Sequence, residues 1–324
     1  MSDIYLSIFA NEISSYLKLL INTGRYVGKI RSSLKSLDKY LATIKWSSNT
    51  LTADILTAWL AGKNAKARTK AKILSDIKGF AKHLSSLGIE ACLPEPPHVP
   101  LDYTPYVFSE EELARIIEVA DNFQASRRFT RTSLLFPVLL RILLGCGLRL
   151  GEGLSLRWAD VDLGNGIITI RSAKNQKQRV VPISPSIQCM LKRYKCMVQS
   201  EGICHDYLFE SHCDNAKPYR NCAFEVWFAK TLVKANISYA KTAPHERGPC
   251  PHCLRHSFVF YSLLKAESEG RPFTEALPFL SVYLGHENLL GTDKYLCSDY
   301  TLYTKSHRKV GEFTNDLFPE VVFE

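Results

Sequence analysis

Two arginines stand in short motifs whose residue types suit chemistry on a phosphate group. Arg149 lies in Gly147-Leu-Arg-Leu-Gly-Glu152, and Arg255 lies in Pro251-His-Cys-Leu-Arg-His256. A guanidinium group stays charged at physiological pH and pairs with phosphate oxygens through two parallel hydrogen bonds. Two such groups on one phosphodiester would stabilise the negative charge that grows in a pentavalent transition state. An isolated arginine is usually a surface ion pair, but two arginines in these motifs favour a phosphodiester site.

Two histidines and a tyrosine could complete such a site. His252 precedes Arg255 by three residues, so the start of a helix would present both side chains on one face. His286 follows Gly285 at a predicted helix end, from which a side chain can point into a cleft. Tyr295 lies nine residues after His286. A phenol with a pKa of about 10 becomes a nucleophile when nearby cations and a base lower the cost of ionising it.

A carboxylate and a lysine-containing turn add to this pattern. Glu152 follows Arg149 by three residues on one helical face, where it could orient an arginine or a histidine. The alternative is an acid that only favours the helix start. Lys174 and Lys177 lie in a predicted hairpin turn, and a lysine there could protonate the departing oxygen. His256 is interpreted as a structural residue that satisfies a buried backbone group.

In this order, over about 150 residues, the motifs resemble those of the tyrosine recombinase (phage integrase) family. The resemblance is strongest from Phe108 to Tyr295. It implies that Tyr295 attacks DNA to give a 3′-phosphotyrosyl intermediate, without metal, ATP or any other cofactor. The spacing from His286 is the one that the family uses for its nucleophile. The alternative nucleophiles are Tyr283, Tyr300 and Tyr303.

The resemblance also implies roles for the other residues. The histidine that corresponds to His252 contacts the phosphate and helps to accept the proton of the nucleophile. The counterpart of His286 donates a hydrogen bond to the scissile phosphate. Lys174 stands where the family has its catalytic lysine, with Lys177 and Arg179 in the same turn as nearby alternatives. The role of Glu152 follows instead from its spacing, which would let it orient an arginine or a histidine from behind the groups that contact DNA.

The fold that this resemblance implies is mostly α-helical. A helical core-binding domain of the SAM-like type is expected over residues 1–103. An α+β catalytic domain with a small antiparallel sheet, the DNA breaking-rejoining fold, is expected over residues 104–324. The boundary follows from the prolines between residues 94 and 105, because proline cannot continue a helix.

Apolar periodicity indicates the individual elements. Helices are predicted over residues 26–44, 52–60, 65–87, 109–120, 131–144, 185–198, 219–235, 253–265 and 274–284. Thr52 or Thr50 is a predicted N-cap, and Ser109 with Glu112 is a predicted capping box. Two β-branched runs, 167–171 and 179–183, predict a hairpin. The polar segment 202–217 is predicted to be irregular.

The charge distribution favours an anionic partner. The net charge is +9, and residues 1–100 hold 14 Lys/Arg against 7 Asp/Glu. A basic run at the start of the predicted helix 65–87 alternates with small residues that would permit close approach to a DNA backbone. Such a run is equally often a solvated charged face. The predicted DNA-binding residues are Lys63, Lys66, Arg68, Lys70 and Lys72, together with Lys177 in the hairpin turn.

Cysteine usage and hydropathy indicate the compartment. The chain has ten cysteines without a recognisable secretion signal, which favours reduced thiols in the cytoplasm. No apolar run reaches the ~20 residues that a bilayer requires. Cys250 and Cys253, with Cys204 and Cys213, are a weak zinc candidate. Their spacing fits no common zinc finger, so no metal is expected.

The expected partners are double-stranded DNA, at specific core sites, and further copies of the chain in a tetramer. The tail, about residues 297–324, would dock on a neighbouring protomer, the alternative being packing on its own domain. Integration of a bacterial mobile element is favoured over resolution or inversion. Two other functions stay open, a type IB topoisomerase and a non-catalytic DNA-binding regulator. The nine-residue spacing disfavours the first, and the complete set of catalytic residue types disfavours the second.

Overall fold

The computed structural model describes residues 4–99, 105–124, 131–171, 178–200, 206–211, 214–238 and 248–285. The chain divides into two compact units, Met1–Leu101 and Asp102–Glu324. The division falls at the end of the proline-rich segment. Several residues singled out above lie outside the described residues: Lys174, Lys177, Cys204, Cys213, His286, Tyr295, Tyr300, Tyr303 and the tail.

The described part of the first unit is a helical bundle. Its helices are α1 (Ala10–Asn22), α2 (Gly28–Thr43), α3 (Ala53–Ala61) and α4 (Ala67–Ser86). Leu34 and Leu37 of α2 and Ile77 and Phe80 of α4 are fully buried, at the three-residue spacing that places them on one face. The sequence pattern predicts α2, α3 and α4 to within two residues. It does not identify α1. The Oγ1 of Thr52 accepts a hydrogen bond from the backbone N–H of Ile55, which confirms the predicted N-cap.

The second unit packs helices against small antiparallel sheets. Its helices are α5 (Glu110–Asp121), α6 (Thr132–Gly145), α7 (Leu150–Leu154), α8 (Pro185–Ser200), α9 (Asn221–Lys234), α10 (Pro251–Ser268) and α11 (Phe273–Leu284). The predicted capping box of α5 is present, since Ser109 and Glu112 exchange hydrogen bonds. Helix α6 is buried on nearly every side and forms the centre of the core. Phe136 of α6 packs against Phe224 and Trp227 of α9.

The predicted hairpin forms the larger sheet. Strands β1 (Val161–Asp162), β2 (Ile167–Ile170) and β3 (Arg179–Pro182) pair antiparallel in that order. Thr169 lies opposite Val180 in the register. Ile168, Ile170 and Val181 are buried on the inner face, as alternation along strands requires. Residues 172–177, which include Lys174, lie outside the described residues, between two strands that are anchored in the core.

One expectation about the sheets is wrong. The polar segment 202–217 is predicted to be irregular, but its described part contains β4 (Glu210–Ser211) and β5 (Asp214–Pro218), which pair antiparallel. Buried Leu208 and Phe209 attach this hairpin to the core. The Leu208 N–H donates to the carbonyl of Leu156, and the Tyr219 N–H donates to that of Phe209. These tertiary contacts stabilise strands that the polar sequence does not indicate.

Among the residues that the structure describes, no helix is both long enough and apolar enough to cross a bilayer.

A glycine turn links α6 to the segment that carries Arg149. Gly147 has a φ of +58°, in the left-handed region that favours glycine. A Cβ atom added there would lie 2.3 Å from Cδ1 of Phe258 on α10. Gly147 is therefore required both for the backbone conformation and for the close approach of α10.

We expect Gly147→Ala to lower the free energy of unfolding by about 2 kcal/mol or more, because it adds left-handed strain and a clash with Phe258. Gly151→Ala is the matched control, since a Cβ at Gly151 meets no atom within 4 Å. Urea unfolding of the full chain, followed by circular dichroism, measures both. Equal free energies of unfolding for the two variants would contradict the conclusion that a glycine is required at position 147.

Candidate active site

The first turn of α7 presents Arg149 at the protein surface. Arg149 is the N-cap of this short helix. Its backbone N–H donates to Oε2 of Glu152 at 3.0 Å, and its Nη1 donates to Oε1 at 2.7 Å. The predicted pairing at a three-residue spacing is therefore present. The side chain of Arg149 is 29% exposed, whereas that of Glu152 is 4% exposed. The guanidinium group is thus held from below by a buried carboxylate and open to an incoming anion.

Glu152 is shared by a second arginine. Arg179, the first residue of β3, donates from Nη1 to Oε1 at 3.1 Å and from Nη2 to Oε2 at 2.7 Å. Burial by itself would raise the pKa of Glu152. The hydrogen bonds and charge of Arg179, with the hydrogen bonds from Arg149, prevail and lower that pKa from 4.5 to about 2. The carboxylate is therefore ionised throughout the physiological pH range.

The third arginine, Arg255, is 1% exposed. Its Nη1 donates to the carbonyl of Gly147 at 2.7 Å, and its Nη2 donates to that of Leu284 at 2.8 Å. Its Nη1 also lies 3.9 Å from Oε2 of Glu152. Arg255 thus joins the glycine turn before Arg149 to the end of α11. Three positive charges surround one carboxylate, so this cluster carries an excess of positive charge.

His252 lies in the first turn of α10, which begins two residues before the predicted start. Pro251 at the first helical position suits such a start, because its missing N–H has no intrahelical partner. His252 reaches solvent, yet crowding by neighbouring atoms desolvates its ring. This desolvation, followed by the charges of Arg255 and Arg149, lowers the pKa of His252 from 6.5 to about 4, against an opposing effect of Glu152. The imidazole is therefore neutral near pH 7 and able to accept a proton.

His256 packs directly behind His252. It is buried, and the two rings meet edge to face with centroids 4.6 Å apart. His256 therefore lies on the side of α10 that faces the core.

The end of α11 is held by the same arginines. Gly285 has φ +65° and ψ 44°, a left-handed C-cap, as the predicted glycine stop requires. The Nε of Arg179 donates to the carbonyl of Tyr283 at 2.9 Å, next to the carbonyl that Arg255 engages. The backbone leading to His286 is thus anchored on both sides of Leu284.

Tyr283 is a poor candidate for the nucleophile. Its ring stacks on Phe258 with centroids 5.5 Å apart. Burial raises the pKa of its hydroxyl well above 10, and this effect exceeds the opposing influence of Arg179 and Arg255. Attack would require the phenolate, which burial disfavours.

The structure brings Arg149, Glu152, His252 and Arg255 together, although they come from segments about 100 residues apart. It also adds Arg179, which the sequence offers only as a neighbour of Lys174 in the predicted turn. Its position at the start of a strand beside the lysine turn is the only sequence signal. Nothing in the sequence pairs it with Glu152, which lies 27 residues away.

The zinc candidate is only partly described. Cys250 and Cys253 are thiols at the start of α10, whereas Cys204 and Cys213 lie outside the described residues. Within the described ranges, no group of three or more His, Cys, Asp or Glu side chains could hold a metal ion.

The basic run lies on the first unit. Lys66, Arg68 and Lys72 are exposed at the start of α4, and Lys70 is partly exposed. Lys63 is different. Its Nζ donates to Oγ of Ser36 at 2.6 Å and lies 4.6 Å from the centroid of the Trp59 ring. Burial lowers the pKa of Lys63. This lysine is therefore engaged inside its own unit and is the least available of the five for an external phosphate.

Comparison with known proteins identifies the family of this chain. The sequence model of the Phage integrase family matches residues 107–301, which is more than half of the chain. The chain therefore belongs to the phage integrase family. The putative integrase/recombinase y4rB of Sinorhizobium fredii is 27% identical over 94% of this chain and 98% of its own length. The tyrosine recombinase XerA of Pyrococcus horikoshii is 26% identical over 90% of each chain.

Solved structures support the fold. A lambda integrase dimer bound to a COC′ core site superposes with a TM-score of 0.62 at 14% identity, covering 90% of this chain and 96% of that one. XerH bound to its difH substrate superposes with a TM-score of 0.59 at 19% identity, covering 86% and 77%. The mostly helical fold with small antiparallel sheets is thus that of the tyrosine recombinases.

We expect Arg179→Met to destabilise the protein at pH 7 by about 3 kcal/mol, because it leaves a buried carboxylate with fewer partners. Arg141→Met is the matched control. Arg141 pairs bidentately with Asp121 on the surface, where such pairs contribute about 1 kcal/mol or less. Urea unfolding measures both variants.

The pH dependence gives a second readout. The depressed pKa of Glu152 adds stability that is complete above pH 4.5 and is lost as the pH falls from 4.5 towards 2. In Arg179→Met the pKa of Glu152 rises, so stability should change less steeply across this window. An unchanged slope would show that Arg179 does not hold the carboxylate ionised.

Proposed function

We propose that this member of the phage integrase family is a site-specific DNA recombinase that cleaves and rejoins DNA through a 3′-phosphotyrosyl intermediate. The observation that carries the proposal is the cluster around Glu152. It combines three guanidinium groups, one buried carboxylate and a neutral histidine. Excess positive charge that is fixed before the substrate arrives suits a phosphodiester whose negative charge increases during attack.

In this mechanism, each described residue has a distinct task. Arg149 is partly exposed and binds a non-bridging oxygen of the scissile phosphate. Arg255 fixes the surrounding backbone and adds positive charge from below. His252, which is neutral near pH 7, contacts the phosphate and helps to accept the phenolic proton. Glu152 holds the arginines in place.

The remaining steps belong to residues outside the described ranges. Tyr295 attacks the phosphorus, and the 5′ oxygen leaves with a proton from Lys174, Lys177 being the alternative donor. His286 donates a hydrogen bond to the phosphate. The anchoring of the backbone at Leu284 supports this role, because His286 follows two residues later. The energy of the broken bond is kept in the phosphotyrosyl link, so rejoining needs no ATP or other cofactor.

We further propose the biological setting. The protein acts in the cytoplasm on core sites in double-stranded DNA, as a tetramer in which the tail, about residues 297–324, docks on a neighbouring protomer. Integration of a mobile element is the preferred role, and the match along nearly all of a putative integrase/recombinase supports it. Residues 1–103 would bind DNA through their basic residues, and residues 104–324 would carry the catalytic site.

Covalent capture of DNA tests the mechanism directly. Nicked suicide duplexes cut from the DNA that flanks the gene are incubated with the full chain in EDTA and resolved on a denaturing gel. We expect an adduct from the wild type and none from Tyr295→Phe, because only a phenol oxygen can form the phosphotyrosyl link. Tyr283→Phe should keep the adduct, since that hydroxyl is buried.

Other outcomes assign other functions. An adduct that persists in Tyr295→Phe would transfer the nucleophile to Tyr300 or Tyr303. Relaxation of supercoiled DNA without strand exchange would indicate a topoisomerase. Salt-sensitive DNA binding without any adduct, on two independent sets of flanks, would indicate a regulator.

The basic run gives a separate prediction about DNA affinity. Removing one lysine that binds a DNA phosphate should reduce the slope of log K against log salt concentration by about 0.9. We expect this reduction for Lys72→Gln on α4. Lys18→Gln, an exposed lysine of α1, changes the net charge equally and should leave the slope nearly unchanged. Fluorescence anisotropy at several salt concentrations measures both. Equal slopes for the two variants would indicate that the basic run is a solvated charged face that does not bind DNA.

A further inference from the structure

Two cysteines bracket the proposed catalytic histidine. Cys250 is the N-cap of α10, and Cys253 is the third residue of its first turn. Their sulfur atoms lie 3.6 Å apart, and the Cys250 N–H points at the sulfur of Cys253 at 3.4 Å. Neither is in a disulfide. The mechanism above uses neither thiol.

The backbone already suits a disulfide between them. Residues three apart at a helix start have Cα atoms roughly 5 Å from each other, given the rise and radius of an α-helix. Disulfides span Cα separations of about 4.4–6.8 Å. Closing the bond requires the sulfurs to approach from 3.6 Å to about 2.05 Å. Modest side-chain rotation and a small adjustment of the first turn are therefore enough.

The two thiols differ in access. Cys250 is partly exposed, and its position at the N-terminus of an 18-residue helix favours a thiolate there. Cys253 is 1% exposed. The hydrogen bond with Cys250 and then burial raise the pKa of Cys253 far above its ordinary value. An external reagent therefore meets Cys250 first, and Cys253 can react only from inside the protein.

We propose that Cys250 and Cys253 form a reversible dithiol–disulfide pair that reacts with low-molecular-weight disulfides of the glutathione type. The Cys250 thiolate attacks the disulfide, forms a mixed disulfide and releases one thiolate, which takes up the proton that Cys250 lost. Cys253 then attacks the sulfur of Cys250, loses its proton and expels the second thiol. The protein pair is oxidised by two electrons, and the small disulfide is reduced to two thiols.

Oxidation of Cys250 and Cys253 would affect the active site by displacing His252. This residue lies inside the loop that the new bond closes, and it faces Arg149 and Arg255. The sulfurs must move together by about 1.5 Å, which disturbs the first turn of α10. Displacement of a catalytic group by about 1 Å can reduce a rate by about 10²-fold. The oxidised protein should thus cleave DNA more slowly. This effect on cleavage rests on the proposed function, whereas formation of the disulfide does not.

Mass spectrometry of tryptic peptides can measure the redox state of the two thiols. Trypsin cuts after Arg247 and Arg255, so one peptide, residues 248–255, contains both thiols. After treatment of the full chain with oxidised glutathione, we expect this peptide to have lost two hydrogen atoms and gained no glutathione. Dithiothreitol should reverse the change. Cys253→Ala should stop at the first step and carry one glutathione on Cys250.

Activity is measured on the same samples. The initial rate of suicide-substrate cleavage should fall at least tenfold on oxidation and recover with dithiothreitol. Cys250→Ser should cleave normally and resist the oxidant, because serine is also a good N-cap. Cys222→Ser, which removes an exposed thiol on α9, should respond like the wild type.

Three results would overturn the proposal. The first is a 248–255 peptide that stays reduced while exposed Cys222 is fully modified. The second is a complete disulfide with an unchanged cleavage rate, which would remove the link to His252. The third is release of zinc on oxidation, detected with a metal-sensitive dye, because the pair would then belong to a metal site. Absence of cleavage by the reduced wild type would instead count against the proposed function alone.

Discussion

The buried carboxylate of Glu152 is the interaction on which the arrangement of this site depends. It accepts hydrogen bonds from Arg149 and Arg179 and lies near Arg255. A lone buried carboxylate would be costly, and so would three guanidinium groups packed together without a counter-charge. The buried carboxylate therefore stabilises the guanidinium groups, and the guanidinium groups stabilise the carboxylate. Their pairing brings the starts of α7, β3 and α10 to one point.

The influence of this cluster extends along the backbone. Arg255 and Arg179 donate to neighbouring carbonyls at the end of α11, and Arg255 also engages the glycine turn before Arg149. The groups that supply positive charge are thus the groups that fix the loops around it. Desolvation of the ring, with these charges as the second cause, keeps His252 neutral near pH 7. Structural support and electrostatic preparation for a phosphate come from a single set of contacts, so a substitution in the set should affect both.

The first turn of α10 links this electrostatic arrangement to a second chemistry. It carries His252 between two thiols, and Arg255 follows one turn later. A helix N-terminus favours anions and thiolates for the same reason, because its backbone N–H groups lack intrahelical partners. A phosphodiester site and a reactive cysteine are therefore compatible in one turn. His252 also lies inside the loop that a bond between these sulfurs would close.

Local patterns were sufficient for most elements and for part of the site. The amphipathic helices, the capping box at Ser109, the central hairpin and the glycine stop at Gly285 follow from periodicity and turn chemistry, which act over a few residues. The sequence did not predict the β4–β5 hairpin. Its strands are polar, and the burial of Leu208 and Phe209 in the core stabilises them. The sequence placed the start of α10 two residues too late. Proline usually interrupts a helix, but Pro251 occupies the first helical position, where proline is favoured.

By itself, the sequence determined the residue types, their order and the family to which they belong. It identified Arg149, Glu152, His252 and Arg255 because each lies in a short motif whose residue types and spacing suit chemistry on a phosphate. Only the tertiary structure decided that Arg179 joins them, that Lys63 is engaged within its own unit and that Tyr283 is buried. These properties depend on groups that are distant along the chain and adjacent in space. Burial and charge pairing are set by packing, which no local pattern encodes.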